Sequence, residues 1–84
     1  MMRDLKIWRV DIDPTAKGST LLERIQKAEA ELLSHVGQGS VMTQDRPPGC
    51  TTLQLASGVR VVEQYNIMSD TVQVHADVVV RERD

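Results

Sequence analysis

From Thr71 the chain alternates: Val72, Val74, Ala76, Val78 and Val80 are apolar, the intervening Thr71, Gln73, His75 and Asp77 are polar, and Val79 is the exception. A period of two sustained over this length marks a strand buried on one side only. The preceding run repeats the spacing, with Val59, Val61, Tyr65 and Ile67 in one row. A corner at Ser69-Asp70 lays the two runs antiparallel. It sets Val59 across from Val80, Val61 from Val78, Tyr65 from Val74 and Ile67 from Val72, with every apolar row on one face.

Upstream, Trp8, Val10 and Ile12 alternate with Arg9, Asp11 and Asp13, which predicts a first strand ending at Pro14. Proline has no amide to continue a ladder and restricts the residue before it, so the chain leaves the sheet there and turns at Lys17-Gly18-Ser19. Thr20 and Glu23 form a capping box that starts a helix, the hydroxyl accepting from the Glu23 amide and the carboxylate returning to the Thr20 amide. Leu21, Ile25, Ala28, Leu32 and Val36 recur at helical spacing along one stripe, flanked by Leu22, Glu29 and Leu33. Glu23 and Lys27 pair on the wet face, and Gly37 suits a left-handed stop.

Periodicity is lost between Gln38 and Cys50, where Gly39, Pro47-Pro48 and Gly49 punctuate a long exposed loop that Val41 and Met42 either pin to the core or extend as a short strand. Thr51 to Ala56 alternates again. A two-residue turn at Ser57-Gly58 sends Leu53 and Leu55 to the far side of the sheet; a three-residue loop with Gly58 near the left-handed position sets Leu55 across from Val61, and is the reading adopted. The expected fold is an α+β two-layer sandwich: one helix on a mainly antiparallel four-stranded sheet, order β-α-β-β-β, with residues 1–84 as a single domain and 38–50 as its loop.

The chain has 84 residues, too few to divide into two cores. Its only aromatic residues are Trp8 and Tyr65, so the core is aliphatic. A core this small makes a partner or a second copy of the chain a natural source of further buried area. The formal charge of −2 arises from 12 acidic and 10 basic residues interspersed along the chain, which argues against nucleic acid, since phosphate binding calls for concentrated basic surface. The single cysteine, Cys50, has no internal disulfide partner, and Met1-Met2-Arg3-Asp4 lacks the apolar run of a signal peptide; a cytoplasmic location is expected. No apolar run approaches the roughly 20 residues of a membrane span.

The chemistry-bearing residues are few. Glu63 shares the inner row with Val61 and Tyr65, across from the small Ala76, so that Glu63, Tyr65 and His75 are the candidate ligand-binding residues. The plain alternatives are a sheet end that the helix does not cover, or a bulge that turns Glu63 outward. Asp11, Asp13, His75 and Asp77 would share a face if their strands were neighbours, but two alternating pairs fall short of an oxygen-rich cation cage, and a polar outer face explains them equally well. Cys50, His35 and His75 lack zinc-site spacing, and Cys50 has no placed base, so neither a metal, a cofactor nor a catalytic residue is expected. Gly37-x-Gly39 follows a helix, the reverse of a phosphate cradle. His35 suits the helix dipole, and Trp8 is expected to anchor the helix through Ile25 or Leu32.

Val62 and Val79 are apolar exceptions on the outer face, and with Arg46 and Pro47 of the loop they form the candidate interface. Two functional readings follow. The first is a non-enzymatic protein-interaction or self-associating module acting through its sheet face, a sheet edge or the loop; the second is a small-ligand-binding protein or enzyme with a site around Glu63 and Tyr65 at a subunit interface.

Overall fold

A computed structural model describes residues 5–15, 17–37, 39–42 and 51–81. Chain order is β1 (Leu5–Ile12), α1 (Leu21–Ser34), β2 (Ser40–Met42), β3 (Thr51–Gln54), β4 (Arg60–Asn66) and β5 (Thr71–Arg81). This is the α+β arrangement expected, with one helix on an antiparallel sheet and Val41 and Met42 drawn in as the additional short strand β2.

The capping box starts α1 where the letters place it. Thr20 is extended, and its hydroxyl accepts from the Glu23 amide at 3.1 Å; the Glu23 carboxylate instead accepts from that hydroxyl at 3.2 Å. Arg24 ties the first turn back to the connection from β1, donating to the Asp13 carbonyl at 3.0 Å and to Ser19 Oγ at 2.9 Å. At the other end His35 and Val36 donate back to the Leu32 and Leu33 carbonyls in a tightened last turn, and Gly37 takes the left-handed conformation, φ 56°. The His35 ring stacks on Trp8 with centroids 4.1 Å apart and planes 7° from parallel. The indole therefore meets the helix at its C-terminal end, through the His35 ring.

The sheet order is β1-β5-β4-β3, every pairing antiparallel. Val79, Val80 and Arg81 pair with β1 on one side and β2 on the other, so β2 lies in line beyond β4 on the same flank of β5. Ile12, Ala28, Leu32, Val59, Val61, Val74, Ala76, Val78 and Val80 make the core, with Trp8, Val10, Ile25, Val36, Val41 and Leu55 packed around it. Val59, Val61, Val74, Val78 and Val80 are buried on the helix side as expected, whereas Val72, at the corner end of the row, is 45% exposed.

Both hairpin registers differ from expectation by two residues. Val61 faces Ala76, Glu63 faces Val74 and Tyr65 faces Val72, because the corner is the four residues Ile67 to Asp70. The Asn66 side chain opens that corner early by accepting from the amides of Met68 at 3.0 Å and Ser69 at 3.3 Å, and Asp70 closes it at φ 53°. Between β3 and β4 the loop has the three residues expected, Ala56 to Gly58, one position earlier. Leu55 donates to the Val59 carbonyl at 2.9 Å and Leu53 faces Val61. A shift of two preserves the face of every side chain, so the layers stand although the pairs change.

Candidate interaction surface

The structure keeps Glu63 and Tyr65 on one face of the sheet and places His75 on the other. Glu63 lies on the helix-side row but is exposed, since α1 packs on β1 and β5 and leaves this end of β4 uncovered. Tyr65, 56% exposed, donates its hydroxyl to the Asp70 carboxylate across the corner. That carboxylate raises the phenol above its ordinary value of 10.0, with a smaller contribution from desolvation. His75 faces Val62 on one side and Asp11 on the other, on the opposite face of the sheet. Within one chain, Glu63 and Tyr65 share a face and His75 does not join them.

The outer face holds an ion pair that the expected register concealed. Arg60 faces Asp77 across β4 and β5 and clasps it bidentately, Nε to Oδ1 at 3.0 Å and Nη2 to Oδ2 at 2.7 Å. The side chains are 13% and 6% exposed, and His75 Nε2 lies 3.2 Å from Asp77 Oδ2. Strand parity puts Arg60 and Asp77 on one face from the letters alone, but the expected register set Arg60 across from Val79. The acidic group read across β1 and β5 takes a different form. The strands are neighbours and Asp11 faces His75, yet Asp77 is bound by Arg60, Asp11 accepts from Arg9 at 3.0 Å, and Asp13 caps Thr15. Among the described residues no three histidine, cysteine or acidic side chains gather as a metal site.

The expected Val62 and Val79 strip does not form. Val62 is only 2% exposed, and Val79 lies past the end of the β4 pairing, between Ile7 and Met42. Arg46, Pro47 and Cys50 lie outside the described residues.

What the sheet leaves open is its edge. Among the described residues β1 pairs on one side only, and it runs eight residues without proline or bulge, Leu5 to Ile12 facing Arg81 to Val74 in continuous register. Its helix-side row is Lys6, Trp8, Val10 and Ile12; its other row ends in Leu5 and Ile7, 54% and 69% exposed, while the Arg9 and Asp11 side chains are 55% and 80% exposed. Beside it, a groove of about 230 Å³ between β1 and α1 is lined by Val10, Ile12 and Ala28, with Lys27 and Glu31 of the helix. The opposite edge, β3, has only four residues. Periodicity assigns residues to faces but says nothing of strand order, which is why the edge could not be singled out from the letters.

No protein-family model matches the chain, and no curated protein or solved structure matches it significantly. Fold and surface therefore define its class: a small α+β domain, one sheet face under a helix and one long strand edge open. No helix among the described residues is long and apolar enough to cross a membrane.

Proposed function

We propose that the protein is a non-enzymatic interaction module that binds by accepting a further strand along β1. One observation carries this reading: the longer open edge is regular, unbulged and ends in exposed apolar side chains. Sheet edges that stay unpaired are ordinarily shortened, bulged, interrupted by proline or charged; β1 carries the charges of Lys6, Arg9 and Asp11 but none of the other devices. The amides and carbonyls of alternate residues between Leu5 and Ile12 that point away from β5 would supply the affinity, and the flanking side chains the selectivity.

Amide hydrogen exchange tests this with a synthetic peptide of residues 5–13 as the added strand. The outward-directed amides of β1 should exchange rapidly in dilute protein and slow as peptide is added. Unchanged exchange along β1 at saturating peptide, with no slowing as the protein itself is concentrated, would refute strand addition here.

A further inference from the structure

We infer that the strand accepted by β1 is β1 of a second copy, paired antiparallel about a two-fold axis at Val10; this rests on the strand-accepting reading above. The inference comes from testing the five centres from Ile7 to Asp11 against side-chain chemistry. Pairing through an axis normal to the sheet keeps each residue on its own face, so only same-face residues meet. Centring on Arg9 or Asp11 places like charges against each other, which is unfavourable for directly opposed residues. Centring on Ile7 or Trp8 sets Lys6 across from Trp8 or Val10 in the apolar row.

The centre at Val10 avoids both conflicts, with pairing from Trp8 to Ile12, because β1 ends before the Asp13 that Ile7 would meet. It sets Arg9 of each copy against Asp11 of the other, twice by symmetry, and Trp8 against Ile12, twice, with Val10 against itself. The Arg9 and Asp11 side chains already reach each other within one chain at 3.0 Å and are exposed, so exchanging partners across the axis needs no burial of an unmatched charge. The apolar row of Trp8, Val10 and Ile12 would continue from one copy into the next, and the two sheets would join with both helices on one face. The groove beside β1 carries both signs, Lys27 and Glu31, a turn apart on α1, so the two-fold can also set each against its opposite.

Charge reversal tests the register. Arg9→Asp alone and Asp11→Arg alone each set two like-charge pairs across the axis, and each should weaken self-association by about tenfold. The two single variants mixed, or both changes in one chain, restore opposite pairs and should recover the association of the parent. Sedimentation equilibrium reads all four. As a check independent of charge, Val10→Cys in a Cys50→Ser background should form a disulfide-linked dimer under mild oxidant, because the axis brings the residue beside its own copy, whereas Ile7→Cys should not. A parent chain that remains a monomer, single reversals that associate like the parent, or a mixture no tighter than its components overturns the inference. If β1 still gains protection from added peptide in those cases, strand addition survives and only the identity of the partner or the register has failed.

Discussion

At the scale of single residues, the corner of the long hairpin makes a titration that can be read without ambiguity, because Tyr65 is the only tyrosine. Its hydroxyl donates to Asp70, and the nearby carboxylate disfavours the phenolate, so the folded-state value lies above the ordinary one of 10.0. A folded value above the unfolded one means that the folded chain holds the proton more tightly. The resulting stabilisation is fully present below about pH 10 and is lost as the pH rises through the folded value. Phenolate absorbance should therefore titrate above 10 in the parent and closer to 10 in Asp70→Asn; equal midpoints would contradict the contact. Gly58 meets a different constraint. Its φ of 95° is unfavourable to any side chain, and a β-carbon there would lie 2.4 Å from Val41 Cγ1. Gly58→Ala should cost about 2 to 4 kcal/mol in denaturant unfolding. Pairing it with Val41→Ala should recover only the steric part, leaving the backbone cost.

Among the elements, helix and strands were legible because each announces itself within a few letters. The capping box of Thr20 and Glu23 and the valine alternation both act locally, and both elements form where they point. The pairing between strands was not legible, for a reason built into the β period: sliding one strand by two residues leaves every side chain on its face, so hydrophobic pattern cannot choose between the two registers. Turn chemistry chooses, and here the deciding atom is Asn66 Oδ1, which collects two amides and opens the corner at Ile67 instead of Ser69. Asn66→Ala should accordingly lower stability by about 1 kcal/mol, read as a shifted denaturant midpoint at unchanged slope. An unchanged midpoint would mean that the strands fix the register without the turn. The same two-residue difference separates Arg60 from Asp77 in the register that the letters favour, and pairs Glu63 with Ala76 there instead of Val74.

For the whole molecule, the sheet has two faces solved by different physics. The helix side is an aliphatic core closed by Leu32, fully buried; the other side centres on Val62, 2% exposed, and on the Arg60 to Asp77 ion pair. A pair this little exposed is held in place by its mutual hydrogen bonds, since each charge would be strongly disfavoured there alone. Among the described residues every buried side-chain nitrogen and oxygen has a hydrogen-bond partner, which fits a face built to be satisfied as a set. Removing one member should then be worse than removing both. Asp77→Ala leaves the guanidinium without its bidentate acceptor and should cost about 3 to 5 kcal/mol, a large part of the 5 to 15 kcal/mol typical of a folded domain. Arg60→Met with Asp77→Leu replaces both charges by apolar groups of similar length and should unfold within about 1 kcal/mol of the parent, or above it. The discriminating quantity is the difference between the two variants in one denaturant series. If the single change costs no more than the double, the pair is a solvated contact of the kind made by Arg9 and Asp11. If the double is markedly the more stable, the middle of the outer face, around Val62 and the ion pair, behaves as a second interior.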